Sequence, residues 1–217
     1  MLSNVSPKAP DPSVRVKLIE AAARLLAEEG PSALSTRRLA SEVGASTMAV
    51  YTYFRGMDEL QHAVRKEGFD RFGRLLEEVR ETDDPVADLA AQGAAYFINA
   101  LTNPHLYRFM FMEPLLDGDP EVGLWTFEKL VAGVQRALDA GRFAAAEARP
   151  LAMQLWATAH GIVTLHLAQL LTFEEAIAAF GDIALNLFVG FGDDRARALR
   201  SLDDAQTRVA GPVAATG

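Results

Sequence analysis

The chain has no cysteine, which excludes disulfides, thiolate metal sites and a cysteine nucleophile. Histidine is scarce too, with four residues at 62, 105, 160 and 166. His160 and His166 are six residues apart, roughly 240° around a helix, so one helical face does not hold both. No Asp or Glu stands three or four residues from His160. Paired carboxylates, a G-x-S-x-G element and a glycine-rich phosphate loop are all missing. Catalytic residues, a metal and any other cofactor are therefore not expected, and His160 reads as a hydrogen-bonded core or interface residue. Long apolar runs are missing as well. The two longest candidates, 151–171 and 176–191, are broken by polar residues before reaching the ~18 residues of a membrane span. The N-terminus lacks a basic segment followed by an apolar one. The expected location is the cytoplasm, with no membrane partner.

What the chain does have is apolar content, 50% of 217 residues, with a net charge of −8. An acidic protein is at first sight a poor partner for nucleic acid. The distribution changes that reading. Residues 1–66 carry nine Lys/Arg against seven Asp/Glu, a balance of +2, whereas 67–217 carry twelve against twenty-two, a balance of −10. A mildly basic head on an acidic body still directs phosphates to one end. With so small an excess, phosphate contacts must come from a few well-placed groups.

Periodicity predicts helices throughout and no convincing strand, so the expected fold is all-α. Residues 1–13 form a proline-containing arm. Val14, Leu18, Ala22, Leu25 and Leu26 recur at three- and four-residue spacing and predict a helix over 13–29, ended by Gly30-Pro31. The stretch 35–55 then reads as two short helices around Gly44-Ala45-Ser46, with Ser35 or Thr36 capping the first and Ser46 the second. This is the signature of a helix-turn-helix, whose second helix enters the major groove. A long helix follows over 58–80, broken at 81–85. Helices are expected over 86–101, 104–112, 121–140, 147–171 and 174–191, with a loop at 113–120. The last stretch, 193–217, reads as a charged tail with a frayed end. The implied organisation is a helix-turn-helix domain at 14–57, a linking helix at 58–80, a ligand-binding and dimerisation domain at 81–192, and the tail.

The spacing Ile19-x-Ala21-Ala22-x-x-Leu25-Leu26-x-x-x-Gly30, then Ser35-Thr36-x-x-Leu39-Ala40-x-x-x-Gly44, Val50-Tyr51-x-x-Phe54 and Asp58-Glu59-Leu60 resembles the DNA-binding head of TetR-type transcriptional repressors. The resemblance covers roughly residues 15–62. One position departs from it: the family usually places a phosphate-binding Lys where this chain has Met57, and Arg55 is the expected substitute. In the body, Asn103-Pro104-x-x-Tyr107-Arg108-x-Met110-Phe111 and Trp156-x-x-x-His160-Gly161 resemble the TetR C-terminal domain named for its Trp, His and Gly.

These resemblances imply a homodimeric regulator that binds a palindromic double-stranded DNA operator and releases it when a small apolar or amphipathic effector enters the body. In the resembled family the long helix transmits that event by its tilt. Ser46, Thr47, Met48, Ala49 and Thr52 are the expected contacts to bases or sugars, with Met48 and Ala49 suited to a thymine methyl. Tyr51 and Tyr53 would donate to phosphates, and Thr36, Arg37 and Arg55 would add contacts, Arg37 with a guanine edge as its alternative. The expected ligand residues are Tyr96, Phe97, Phe109, Met110, Phe127, Met153, Trp156 and His160, with Asn99, Thr164 and Gln154 as further polar groups. Small rows on the last two helices, Ala157, Gly161, Thr164 and Ala168, then Ile177, Phe180, Gly181, Ala184, Leu187 and Phe188, mark the expected dimer interface. Two heads would reach half-sites about 34 Å apart. Two other readings stay open: a protein-binding adaptor of the same fold, favoured only by Met57 and the small basic excess, and a helical enzyme built on His160.

Overall fold

A computed structural model of the chain describes residues 11–112, 122–144 and 146–213. The described residues form ten α-helices and one short 3-10 turn, with no strand among them. They divide into two compact units, Met1–Gly68 with His105–Pro120, and Phe69–Pro104 with Glu121–Gly217. The expected loop at 113–120 lies outside the described residues, as do 1–10 of the expected arm and 214–217 of the expected tail.

In the first unit, helix α1 (Pro12–Glu29) starts where the Asp11 carboxylate accepts from the Ser13 N–H and Pro12 occupies the first turn. Proline suits that position because its missing N–H would have had no helical partner. Gly30 ends the helix at φ 79°, a left-handed backbone that side chains with a Cβ avoid. Helices α2 (Thr36–Glu42) and α3 (Thr47–Tyr53) follow, each opened by a serine. Ser35 Oγ accepts from the Arg38 N–H and Ser46 Oγ from the Ala49 N–H, both at 3.2 Å. Between them Gly44 takes φ 66°. Ser35 is thus the cap of α2, and Thr36 its first helical residue.

Leu18, Leu25 and Leu26 of α1 bury against Leu39, Val50 and Phe54, all at 2% exposure or less. Each such side chain contributes about 1.5–3 kcal/mol of burial. Leu60 and Val64, early in α4 (Met57–Glu78), and Leu106 and Phe109 of α6 (Pro104–Phe111) join the same core. A buried cation fixes the α4–α6 contact. Arg65 lies 4.9 Å above the Phe109 ring and donates through Nη2 to the Phe109 carbonyl at 3.2 Å.

The second unit holds α5 (Pro85–Thr102), α7 (Leu124–Asp139), α8 (Ala148–Leu167), α9 (Phe173–Gly190) and α10 (Arg195–Val213). Helix α8 stops four residues short of the expected 171. Gln169 adopts φ 60°, and Thr172 and Glu175 form a reciprocal capping box that starts α9. The core of this unit gathers Val86, Val134, Phe143, Ala152 and Phe188.

The largest departure from the sequence reading is α10. The stretch expected to be a charged, fraying tail is a 19-residue helix, and it turns Ala198, Ser201 and Ala205 into the core. Two polar clusters hold it to the start of α5. In one, Arg142 (4% exposed) reaches Asp193 at 2.7 Å, Asp84 at 2.6 Å and Ser201 at 3.0 Å. In the other, the Asp88 carboxylate, 1% exposed, accepts from Arg136 and Arg208, each at 2.9 Å. Burial alone would raise both aspartates, but hydrogen bonds outweigh it and hold their carboxyls below the usual range. For Asp84 these come from Ser201, the Ala87 N–H and Arg142; for Asp88, from the Thr82 N–H and side chain, Arg136 and Arg208.

Candidate functional site: a DNA-reading helix and a polar pair in the body

Helix α3 is only seven residues long and gives its apolar share to the core through Val50. Its other faces are left outside. Met48 is 71% exposed and Tyr51 55% exposed, while Ser46, Thr47 and Thr52 are exposed and Ala49 half-buried. A large apolar and an aromatic side chain standing together in solvent on one short helix mark a contact surface better than a scattered exposed leucine does. The Thr52 hydroxyl donates back to the Met48 carbonyl at 2.8 Å, which leaves its oxygen free to accept.

The arginines of the head divide into two sets. Arg24 and Arg38 both pair with Glu42, and Arg38 also reaches Glu29 at 3.1 Å. These pairs brace α1 against α2. Arg37 and Arg55 are exposed, and neither guanidinium has a partner among the described residues. Thr36 is half-buried at the start of α2. Tyr53 behaves differently from Tyr51: it packs against the head core and donates its hydroxyl to the Asp11 carbonyl at 2.8 Å. Its proton is already placed, and it ties α3 to the start of α1. Met57 also lies against the head core, so the residue at the lysine position is a packing group.

In the second unit, the Tyr96 hydroxyl and His160 Nδ1 share a hydrogen bond at 3.0 Å. The Trp156 ring lies 5.6 Å from the His160 ring, Phe127 lies 6.0 Å from Trp156, and Phe72 meets Tyr96 edge-on at 5.4 Å. Burial pushes the His160 imidazole below its ordinary range, because the charged form loses its water. Near neutral pH the ring is therefore uncharged and suited to accept from a phenol. Phe97 belongs to a neighbouring aromatic group with His166, Phe173 and Phe180. Met153 is 46% exposed. Phe109 and Met110 sit in the first unit, where Phe109 is core and Met110 packs on Gly68. Tyr96, Phe127, Trp156 and His160 are therefore the expected ligand residues that the fold gathers. Phe72, which sequence reading treated as one apolar position of a long helix, joins them; nothing in its spacing set it apart.

Residues 18–64 match the family described as bacterial regulatory proteins, TetR family, and residues 89–188 match the tetracyclin repressor-like C-terminal domain. The chain belongs to the TetR family. It is a TetR-family transcriptional regulator with a DNA-binding helix-turn-helix, a class of transcription regulators and not of enzymes. An uncharacterized HTH-type transcriptional regulator of Mycobacterium tuberculosis is 28% identical over 179 residues, covering 81% of this chain and 80% of its own. A protein with unknown function from Rhodococcus sp. RHA1 has a TM-score of 0.70 at 26% identity, covering 89% of this chain and all of that one. A TetR transcription regulator from Haloarcula marismortui has a TM-score of 0.68 at 24% identity, covering 83% of this chain and 99% of its own. That likeness speaks to the fold.

TetR regulators typically act as dimers, and the two rows expected to pair divide in the structure. Ala157 of α8 and Ala168, which caps that helix, are exposed, with Gly161 and Thr164 half-buried. On α9, Phe188 (2% exposed) and Ala184 are core residues and Leu187 packs on that core, while Phe180 leans on Phe97. Ala184 and Phe188 thus face the core of their own chain, while Phe180 and Leu187 are half-buried. The exposed apolar groups of this helix are Phe173, Ile177 and Ile183. On α8 they are Met153 and Leu165, which continue the row of Ala157 and Gly161 at four-residue spacing. The body's match is to the tetracyclin repressor-like type; the Trp-His-Gly type stands as an expectation from Trp156, His160 and Gly161. Among the described residues no cluster of three or more metal-ligating side chains is present, and no helix is long and apolar enough to cross a membrane.

Proposed function

We propose that the chain is a homodimeric repressor that holds a palindromic operator through α3 and releases it when a small, largely apolar effector binds the body. The observation that carries the DNA contact is the exposed face of Met48 and Tyr51, together with Arg37 and Arg55, which are exposed and whose guanidinium groups have no partner among the described residues. Thr47, Met48, Ala49 and Thr52 meet base edges or sugars, Ser46 and Thr36 lie at the helix starts that face the backbone, and Tyr51, Arg37 and Arg55 supply phosphate contacts. Tyr53 positions α3 through its bond to Asp11. Dimerisation is supported by the exposed apolar groups of α8 and α9, and a single head of this size reads too few bases alone. An effector changes operator affinity only by binding one state of the protein better than the other. Helix α4, shared between the two units, is the element proposed to carry that preference.

The test is binding of the full chain to fragmented genomic DNA at moderate salt, with Tyr51→Ala and Arg37→Ala alongside. Each variant is expected to weaken binding, and the loss in Arg37→Ala should shrink as salt rises. Binding that neither substitution changes would sink the assigned contact face.

A further inference from the structure

Helix α5 carries a polar side chain that the fold leaves without use. Asn99 is 1% exposed, and neither its Oδ1 nor its Nδ2 has a hydrogen-bond partner among the described residues. A buried amide is normally satisfied, because stripping it of water without replacement is costly. A second orphan, Thr164 Oγ1, is buried on α8.

Their placement is related. A Cβ at Gly93 would meet the Phe180 ring, and the Phe97 ring meets both Phe180 and Phe173, so ascending α5 means descending α9. Helix α9 turns back along α8, with the His166 and Phe173 rings 6.2 Å apart. Helices α5 and α8 therefore run in the same direction. Tyr96 and His160 meet at 3.0 Å, and Asn99 and Thr164 come one turn later on the same two faces.

We propose that the effector bears an uncharged group that both donates and accepts hydrogen bonds, and that this group docks on the Asn99 amide with Thr164 beside it. The proposal rests on the body being an effector-binding domain. An amide is the side chain that offers both a donor and an acceptor side by side, so its natural complement is another neutral amide or a hydroxyl. The surroundings favour neutrality. Residues 89–103 and 150–173 contain no Asp, Glu, Lys or Arg. Arg71 reaches this end of α5, but its Nη1 donates to Asn103 Oδ1 at 3.3 Å. The rings of Trp156, Phe127 and Phe72 around the Tyr96–His160 pair suit an apolar remainder. A site built to hydrogen-bond both ways discriminates strongly against a ligand that lacks the group, since its own buried atoms then go unpaired.

The experiment compares wild type with Asn99→Leu, which keeps the branched shape and removes the hydrogen-bonding groups, and with Thr164→Val. Thermal unfolding of the full chain is followed without DNA, alone and with benzamide, benzoate or toluene. Asn99→Leu alone is expected to unfold at the wild-type temperature or above, because the orphan is gone. Benzamide is expected to raise the wild-type midpoint, with tenfold or greater weaker binding to Asn99→Leu and a smaller loss in Thr164→Val. Toluene is expected to act equally on wild type and Asn99→Leu. The proposal is overturned if Asn99→Leu alone lowers the midpoint by several degrees. It is equally overturned if benzamide fails to shift wild type, if its shift survives Asn99→Leu, or if benzoate acts more strongly. DNA binding measured in parallel separates the two claims: benzamide held through Asn99 with unchanged DNA affinity supports the docking group and breaks the release reading.

Discussion

Arg142 is 4% exposed and meets two aspartates and a serine, whereas Arg37 stands in solvent with no partner among the described residues. The cluster around Arg142 closes the body by joining α5, α10 and the loop after α7. The guanidinium groups of Arg37 and Arg55 in the head join nothing among the described residues, and so remain available to an outside partner. A charge surrounded by partners reports on folding. One left beside an exposed tyrosine and methionine reports on recognition. The two kinds of substitution should therefore separate stability from DNA binding.

The largest effect is expected from Arg142→Ala. It leaves Asp193 buried without its cation, and losing one partner of a buried pair costs about 3–5 kcal/mol. Urea or thermal unfolding measures it; a change no bigger than at a surface site would show that the cluster is ornamental. Arg37→Ala should do the reverse, holding stability within about 0.5 kcal/mol while weakening DNA by about 1–3 kcal/mol if the residue reaches a guanine edge. Equal losses in both measurements would erase the distinction. Ser46→Ala stands between the two regimes. It removes the cap of α3 at a cost of about 1 kcal/mol, and DNA affinity should fall with the order of that helix.

The smallest effect expected is on the pH profile. Burial lowers His160, so the unfolded chain binds its proton more readily and stability rises with pH through this window. The contribution is complete above the unfolded value of about 6.5 and is lost as pH falls through the lower folded value. Asp84 and Asp88 are lowered too, so their contribution is complete above the unfolded value of about 4 and is lost on further acidification. A stability curve with a shallow early step that His160→Gln removes, and a later step that it leaves, is the expected result.

The head was legible because its signals are local. Asp11, Ser35 and Ser46 cap helices next to themselves, and Gly30 and Gly44 end them by backbone conformation alone. The TetR spacing across these positions pointed to the same answer. The bond of Tyr53 was not legible because its partner, the Asp11 carbonyl, is 42 residues away. Helix α10 was missed for a related reason. Its inward row of Ala198, Ser201 and Ala205 carries little hydrophobic signal, and its anchors are arginines and aspartates, which on sequence read as a solvated surface. On α9 the period was readable and the partner of the stripe was not. Phe188 repeats with Ala184 as a dimer row would, but a single helix cannot say whether its apolar stripe meets another copy or its own core.

The anchors of α10 also set an order of events during synthesis. Ser201 bonds Asp84 across 117 residues and Arg208 bonds Asp88 across 120, so the start of α5 leaves the ribosome long before its partners on α10. At about 5–20 residues per second, that interval is on the order of ten seconds. The helix-turn-helix closes its own core with neighbours in sequence apart from α6, and all its partners emerge within the first half of the chain. A nascent chain therefore holds a nearly complete reading head while its body is still open, and contacts that span so much of the chain are slow to form. Helix α10 is the clasp of the second unit, and Asp84 and Asp88 wait for its Ser201 and Arg208.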